Sequence, residues 1–251
     1  LSLSKGYAIT PFFPKSNNST FMYWFKSDGL DSQLSGVSEN SEQHYYAGVQ
    51  YAQRKFAWGE DRTSGYSFNE PEYSVDEWNH LALVISDEQI KLFINGVLIT
   101  KNPRSWSSIT APFNHALWLG ALNKQGQGSD YFNGFIDNVQ IWDKALSENE
   151  IKTYMVLTPD QSAEGLYAMY DFNSMKGNWV KNIATDEYDL LLLDETHIES
   201  LQVQDSDGDS IPDFVENHIC TDFHNSDTDG DGRSDAEELK DATSPCSQES
   251  N

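Results

Sequence analysis

The sequence predicts an all-β sandwich followed by a short acidic module, and three observations support this prediction. Residues 1–200 contain many short segments rich in aromatic and β-branched residues, separated by Asn, Gly, Asp and Ser, which is typical of strands. Strands do not alternate regularly with long helical segments, so a parallel α/β sheet is disfavoured. Residues 201–251 hold 14 acidic and 2 basic residues, and this change in composition places a boundary near 198–204.

The overall composition narrows the classes of partner. The chain has 251 residues and a formal net charge of -24. This length allows a well-buried core. The negative charge argues against binding to nucleic acids and to anionic membrane surfaces. The longest apolar run, 190–193, is far too short to span a membrane, so we expect no membrane insertion. The sequence begins without Met, and we therefore expect a mature or excised piece.

Local patterns define the individual elements. Asn95-Gly96 separates two apolar segments and predicts a tight hairpin, because both residues readily adopt positive φ. Ser147 and Glu150 have the spacing of a capping box and predict one short helix. The predicted strands are 21–25, 44–51, 81–85, 91–94, 97–99, 117–121, 131–142 and 165–172.

The strongest local signal is a pair of acidic loops that begin at Asp205 and Asp227. Both carry carboxylates at positions 1, 3, 5, 9 and 12 of a 12-residue loop, the pattern of an EF-hand-type calcium loop. The predicted ligands are Asp205, Asp207, Asp209, Asp213, Glu216, Asp227, Asp229, Asp231, Asp235 and Glu238, with the backbone carbonyls of Ile211 and Arg233.

A solvated acidic tail is the alternative interpretation of these loops, but the same spacing occurs twice, 22 residues apart. A hard divalent ion takes six to eight oxygen ligands. Without a cation, the clustered carboxylates would repel one another. We therefore expect Ca²⁺ to be the cofactor and the folding of the module to depend on it.

The two cysteines, Cys220 and Cys246, are separated by 25 residues. An even number of cysteines near the end of an acidic chain predicts one disulfide and an oxidising compartment. Two free buried thiols are the alternative. We expect a secreted protein that works outside the cell or at its surface.

Five segments, 78–84, 91–97, 117–120, 130–142 and 145–151, occur in an order that resembles the laminin G-like/pentraxin branch of the concanavalin A-like jelly rolls. The resemblance covers roughly residues 1–155. It implies a jelly-roll β-sandwich of two antiparallel sheets, with ligands held on the concave face or at an edge. By analogy with many jelly rolls, it also implies a structural calcium ion near Asp137 and Asp171.

Residues 165–193 resemble the opening strand of such a domain, although here they come last. They either close the same sandwich as a permuted strand or begin a second, truncated module. Leaving residues 190–193 in water would cost roughly 1.5–3 kcal/mol per Leu side chain, which favours closure of the same sandwich. We therefore expect two domains, 1–200 and 201–251.

The acidic loops resemble thrombospondin type 3 repeats, which are wrapped around calcium and often disulfide-linked. The resemblance assigns the same ten acidic residues as ligands. Two positions depart from the pattern. Ser210 replaces the turn glycine that Gly232 keeps, and Arg233 stands where the first loop has the apolar Ile211.

The sequence lacks the acidic triad by which sandwich glycosidases act. Glu-x-Asp-x-x-Glu would place three acids on one face of a strand, but after Glu187 and Asp189 the third position is Leu192. Neither Gly-x-Ser-x-Gly nor His-Glu-x-x-His occurs. We expect the chain not to be an enzyme.

A recognition role, glycan-binding or adhesive, is suggested by aromatic and basic residues that occur together in 44–68 and in a loop after residue 102. Aromatic faces stack on sugar rings, and Arg pairs with carboxylate or sulfate, so the expected partner is a polysaccharide or glycoconjugate, including anionic ones. The candidate ligand-binding residues are Arg54, Trp58, Arg62, Tyr66, Arg104 and Trp106. Trp24, Trp78 and Trp142 are assigned to the core.

Two other functions remain open from the sequence. The chain could be a structural or protein-interaction domain of a large surface protein, with a neighbouring protein domain as its partner. It could also be an accessory domain of a secreted polysaccharide-degrading enzyme whose catalytic part lies elsewhere. Fold alone does not decide among these functions.

Overall fold

A computed structural model describes residues 1–10, 18–28, 32–38, 46–52, 55–58, 66–69, 76–102, 116–124, 127–129, 131–198, 204–241 and 243–247. Its strands are β1 (Ser2–Ile9), β2 (Ser19–Ser27), β3 (Ser32–Ser38), β4 (Tyr46–Ala52), β5 (Lys55–Trp58), β6 (Tyr66–Asn69), β7 (Trp78–Ile85), β8 (Ile90–Ile94), β9 (Val97–Asn102), β10 (Leu117–Leu119), β11 (Leu122–Lys124), β12 (Gln127–Ser129), β13 (Gly134–Trp142), β14 (Leu166–Tyr170), β15 (Met175–Lys176), β16 (Trp179–Val180) and β17 (Leu190–His197). Its helices are α1 (Glu148–Val156), α2 (Asp213–Glu216) and α3 (Asp235–Lys240).

The strands form an antiparallel sandwich, as predicted. One layer has the order β13-β2-β7-β8-β9, with β14 also paired to β13. The other has the order β17-β1-β10-β3-β4-β5-β6. Strand β1 joins the layers because its residues 2–3 pair with β13 and its residues 8–9 pair with β10. The register shifts between Leu3 and Gly6, and Lys5 there has φ +59°, as expected where a strand bends at a bulge.

The main core lies between the two layers. Leu190 and Leu192 are buried in it, at 0% and 3% exposure, whereas Leu191 and Leu193 are half-buried. Burying a side chain of this size stabilises the fold by roughly 1.5–3 kcal/mol. The other large contributors include Phe21, Tyr23, Phe25, Leu81, Leu83, Leu117, Leu119, Ile136, Ile141 and Tyr170.

A second cluster covers the outer face of β2 and β7. Met22 and Trp24 pack there against Ile151 and Met155 of α1. The C-terminal module contributes Ile211 and Val215 to the same cluster. Strand β2 is therefore buried on both faces, which explains why residues 21–25 are continuously apolar instead of alternating. Of the tryptophans assigned to the core, Trp24 and Trp142 are buried and Trp78 is half-buried.

The predicted turn and helix cap are both present. Asn95 and Gly96 have φ +50° and +72° and join β8 to β9, which confirms the hairpin. The side chain of Ser147 accepts a hydrogen bond from the backbone N–H of Glu150 at 3.3 Å, and the Glu150 carboxylate accepts one from the backbone N–H of Ser147 at 2.8 Å. These two bonds form the predicted capping box at the start of α1.

Strand β17 pairs with β1 along almost its whole length, from His197 beside Ser2 to Leu191 beside Ile9. Strand β14 pairs with the end of β13. Residues 166–197 thus add strands to the sandwich that residues 1–142 begin. Among the described residues, no helix is long and apolar enough to cross a membrane.

Candidate metal centre

The C-terminal module consists of two acidic loops, each followed by a short helix. The first loop leads into α2 and the second into α3. A disulfide joins Cys220 to Cys246, whose Cα atoms are 5.9 Å apart, and this confirms the predicted pairing. The bond encloses the second loop and α3 in one covalent ring.

In the first loop, backbone amides hold the carboxylates in position. Asp205 accepts hydrogen bonds from the N–H groups of Gly208 and Ser210 at 2.8 and 3.2 Å. Asp207 and Asp209 each accept one from the residue two positions ahead, at 3.2 and 2.7 Å. One carboxylate oxygen from each of the three aspartates lies within 4.8 Å of the others. The loop therefore gathers three negatively charged oxygens around one point.

The second loop repeats this arrangement. Asp227 accepts hydrogen bonds from the N–H groups of Gly230 and Gly232, both at 2.9 Å. Asp229 and Asp231 each accept a hydrogen bond from the backbone N–H group two positions ahead, at 3.0 and 2.9 Å. Their oxygens also lie within 4.8 Å of one another. Equivalent hydrogen bonds at equivalent positions show that the two loops have the same conformation.

The sixth loop position is left-handed in both loops. Gly232 has φ +98° and Ser210 has φ +82°. A residue with a Cβ atom pays roughly 1–2 kcal/mol for this conformation. Ser210 nevertheless takes the backbone form that glycine normally provides, so the departure noted in the sequence does not change the path of the loop.

The ninth loop position ties each loop to its helix. The carboxylate of Asp213 accepts hydrogen bonds from the backbone N–H and hydroxyl of Ser206, at 2.7 and 2.8 Å. Asp235 accepts the equivalent pair from Thr228, at 2.9 and 2.8 Å. Both oxygens of each aspartate thus have a protein donor. In EF-hand loops this position often reaches the ion through a water molecule.

Several carboxylate oxygens are buried without a hydrogen-bond donor. Among the described residues, Asp207 keeps one such oxygen, and Glu216 and Glu238 keep both. Glu216 and Glu238 are fully buried. Burying a charged group without a partner is costly. A hard divalent cation would satisfy these oxygens, so the donor set fits Ca²⁺.

The electrostatics of the two glutamates agree with this fit. Burial, and to a smaller extent the negative charge of Asp207, together raise the pKa of Glu216 to about 7. Burial also raises the pKa of Glu238, and the charge of Asp229 adds to the effect. Both shifts have the same cause, because removing a carboxylate from water next to other carboxylates disfavours its charged form. A bound cation would remove that penalty.

The two loops lie next to each other. Burial raises the pKa of Asp209 in the first loop. Among the smaller contributions, the backbone N–H of Ala236 lowers this pKa and the carboxylate of Asp235 raises it. Both of these residues belong to α3. The acidic loops therefore form one continuous centre, named the acidic centre below.

Asp137 and Asp171 lie elsewhere, in a cleft of about 600 Å³ between the sandwich and the module. The carboxylate of Asp137 accepts a hydrogen bond from the backbone N–H of Asn138 at 2.8 Å. The carboxylate of Asp171 accepts two hydrogen bonds from Asn173. Burial raises the pKa of Asp137, and the charge of Asp171 contributes to the rise. With only two carboxylates, this pair is a poorer donor set for a metal ion than either loop.

The predicted carbohydrate-binding residues are described only in part. Arg54, Arg62, Arg104 and Trp106 lie outside the described residues. The backbones of β5 and β6 place residues 58 and 66, the predicted Trp58 and Tyr66, opposite each other. A role for any of these six residues in binding remains a prediction.

A scan against protein-family models identifies residues 4–152 as a laminin G-like domain of the concanavalin A-like lectin/glucanases superfamily. The match covers more than half of the chain. The chain belongs to this superfamily. No relative was found among curated protein sequences.

Solved structures with this concanavalin A-like fold include a candidate carbohydrate-binding protein from Bacteroides ovatus, with a TM-score of 0.58, 16% identity and 76% of this chain covered. The heptameric SAP-like pentraxin of Limulus polyphemus has a TM-score of 0.55 and 12% identity, covering 76% of this chain and 91% of the pentraxin. The NanB sialidase of Streptococcus pneumoniae has a TM-score of 0.47 and 19% identity over 54% of this chain. For the Bacteroides ovatus protein and the pentraxin, the likeness at these identities concerns the fold alone.

This concanavalin A-like chain spans only part of the length of two of these proteins. It covers 56% of the Bacteroides ovatus chain and 23% of the NanB sialidase. The acidic loops lie beyond the part that the family model matches.

One exposed aromatic residue of the described part of the chain was not singled out from the sequence. Trp179 is 45% exposed and pairs with Lys176 across the β15–β16 hairpin. Its strand pairs with β17 through Leu191, which in turn lies beside Ile9. The hairpin itself had a sequence signal, because Gly177 and the residue after it are a two-residue turn pair, but that signal does not tell that the indole is exposed.

Proposed function

We propose that this chain is a non-catalytic, extracellular recognition domain that binds carbohydrate and carries a calcium-binding module of the thrombospondin type 3 kind. Three findings support the proposal. The chain belongs to a superfamily of lectins and glucanases. A Bacteroides ovatus protein of the same fold is described as a candidate carbohydrate-binding protein. The disulfide between Cys220 and Cys246 is typical of oxidising compartments.

The calcium part of the proposal depends on one observation above all. Glu216 and Glu238 each bury a carboxylate whose two oxygens accept no well-formed hydrogen bond among the described residues, although the Thr221 hydroxyl lies close enough to Glu216 to oppose part of the rise in its pKa. Each glutamate follows three aspartates that gather within 4.8 Å. A bound Ca²⁺ ion would neutralise these charges and fix the loops. The residues expected to bind it are Asp205, Asp207, Asp209 and Glu216 in the first loop and Asp227, Asp229, Asp231 and Glu238 in the second.

The calcium part can be tested by comparing two neighbouring glutamates. Glu238→Gln removes a charged ligand, and we expect calcium affinity at one site to fall by about tenfold or more. Glu237→Gln is the matched control, because Glu237 is exposed and only caps α3. Isothermal titration calorimetry with CaCl₂ measures both. Equal affinities in the two variants would contradict the assignment of Glu238, and no heat of binding in the parent protein would refute the calcium part.

The carbohydrate part has its best-described candidate residue in Trp179. Its indole is nearly half exposed, and exposed aromatic faces stack on the apolar faces of sugar rings. Lys176, its cross-strand partner, is an exposed base in a chain of net charge -24. We therefore place one sugar-stacking surface at Trp179, in addition to the residues predicted between 54 and 106.

A glycan array probed in saturating calcium tests the carbohydrate part, followed by affinity measurements on any hit. Trp179→Ala should weaken binding to the hit by about tenfold, since one stacking interaction is worth about 0.5–1.5 kcal/mol beyond its area. Val97→Ala is the control, because Val97 is 60% exposed and lies on a different hairpin. The absence of any glycan hit would count against carbohydrate binding, and hydrolysis of a bound polysaccharide would overturn the non-catalytic assignment.

A further inference from the structure

Helix α2 contacts the acidic centre and the sandwich at the same time. It is a single turn of four residues, Asp213 to Glu216. In a helix, residues two positions apart point to nearly opposite sides. Glu216 is buried with the carboxylates of the first loop, and Phe214, two positions earlier, packs on the sandwich.

The contact of α2 with the sandwich is aromatic. The ring of Phe214 meets Trp24 edge-on, with centroids 5.1 Å apart and planes at 89°. It also lies 5.7 Å from the ring of Trp78. Val215, the next residue, is 3% exposed and belongs to the same apolar cluster as Trp24. Edge-to-face pairs at this distance are favourable and directional, so small movements of α2 would weaken them.

Two further hydrogen bonds fix this surface. The ring nitrogen Nε2 of His218, just after α2, lies 2.7 Å from the backbone carbonyl oxygen of Trp78. On the other side, the indole N–H of Trp24 donates to the carbonyl oxygen of Met155 in α1 at 3.0 Å. Trp24 is thus held by α1 on one side and covered by the module on the other.

A helix of one turn has little stability of its own, because nucleation is costly and one turn makes few hydrogen bonds. Helix α2 also places the carboxylate of Glu216 against those of Asp207 and Asp209. Without a cation, their repulsion favours unwinding of the turn. Unwinding would withdraw Phe214 from the two tryptophans, since it lies only two positions from Glu216.

We propose that cation binding by the first acidic loop and docking of Phe214 on Trp24 and Trp78 are a single linked equilibrium. The cation sets whether this aromatic surface of the sandwich is covered by the module. The proposal rests on the calcium binding proposed above, and it adds a defined surface that the ion controls. Linkage is reciprocal, so docking must also strengthen ion binding by the same factor.

Nuclear magnetic resonance of the indole N–H groups in ¹⁵N-labelled protein tests the first direction of the linkage. During a titration of the chelated protein with CaCl₂, the signals of Trp24 and Trp78 should shift in step with ion binding. The signal of Trp118 should stay constant, because Trp118 packs on Tyr7 in another cluster. Substitution of each Trp by Phe assigns the signals.

Calorimetry tests the reverse direction. Phe214→Ala removes no ligand, yet it should weaken calcium binding at the site that Glu216→Gln also weakens, by about fivefold or more. Phe223→Ala is the matched control in the same module, since the ring contact described for Phe223 is with His224 and it is not part of the Trp24 cluster. The control should stay within about twofold of the parent.

The outcomes separate this proposal from the proposed function. If the parent protein binds calcium but the Trp24 and Trp78 signals do not move, the linkage is wrong and calcium binding stands. Unchanged affinity in Phe214→Ala has the same meaning. If the parent protein binds no calcium, both fail. Should Phe214→Ala not fold, the titration of the parent protein still decides.

Discussion

His80 is a buried base with an incomplete set of hydrogen bonds. It is 1% exposed, its ring lies 5.2 Å from that of Trp24, and its Nδ1 atom has no partner among the described residues. Burial lowers its pKa to about 3, and the nearby His218 contributes in the same direction. The folded protein therefore keeps the imidazole of His80 uncharged at pH values well above 3.

This environment predicts a pH dependence of stability. The pKa of His80 is 6.5 without the fold and about 3 within it. As pH falls below 6.5, the unfolded chain takes up a proton that the folded chain excludes, so stability decreases. The loss should reach about 2 kcal/mol at pH 5. Urea unfolding of the parent and of His80→Gln at pH 7 and pH 5 measures it.

The variant His80→Gln should lose less stability between these two pH values than the parent does. Comparing the two changes removes the titration of the carboxylates, which is common to both. His224→Gln serves as the control, because the side chain of His224 is largely exposed and should leave the pH dependence unaltered. Identical pH dependence in His80→Gln and the parent would refute the effect of burial.

At the scale of elements, the sequence predicted what local chemistry decides. The Asn95-Gly96 turn and the Ser147 cap follow from backbone preferences and short-range hydrogen bonds. The strand at 21–25 and the spacing of the acidic loops follow from side-chain patterns.

Features that depend on distant pairing were not predictable from these patterns. Gly6 is a signal for a bulge in the segment 2–9, but nothing there indicates that the strand pairs with both layers. The apolar residues Phe214 and Val215 gave no hint of where they dock, because their partners lie on β2 and β7. Likewise, no local sequence feature shows that the indole of Trp179 is exposed whereas that of Trp142 is buried.

Two glycines give a matched test of how tightly the elements pack. Gly134 lies between β1 and β2, paired with Leu3 and Ser27, and a Cβ atom there would lie 2.1 Å from the carbonyl oxygen of Lys26. Gly177, in the β15–β16 turn, has φ +62° and nothing within 4 Å of the same position. The first glycine is needed both for close approach of strands and for its φ of +144°, and the second only for its backbone angle.

We expect Gly134→Ala to lower the free energy of unfolding by roughly 3 kcal/mol or more, because strand backbones must separate. Gly177→Ala should cost about 1–2 kcal/mol, the penalty of a left-handed alanine. Chemical denaturation of both variants gives the comparison. Equal losses would show that the β13–β2 contact adjusts easily.

For the whole molecule, charge is the dominant property. The chain carries 40 acidic and 16 basic residues, and 14 of the acids lie in the last fifty-one positions. The acidic centre packs on the sandwich through the Trp24 cluster. An ion that stabilises the centre should therefore stabilise more of the chain than the module alone.

Calcium should raise the melting temperature of the intact chain. At a free concentration about 100 times the dissociation constant, one site adds about 2.7 kcal/mol, or about 5–10 °C for a protein of this size. Differential scanning calorimetry in CaCl₂ and in chelator measures the shift, with NaCl matched for ionic strength as the control. A melting temperature that calcium does not change would argue against an ion-dependent fold.

The position of β17 has a practical consequence for producing this domain. The family match ends at residue 152, but β17 supplies the partner of β1 on one side. A gene fragment cut at that limit would leave the amide and carbonyl groups of β1 open along one edge. Open edges of this kind recruit other chains and cause aggregation. The shortest soluble fragment should therefore extend at least through His197.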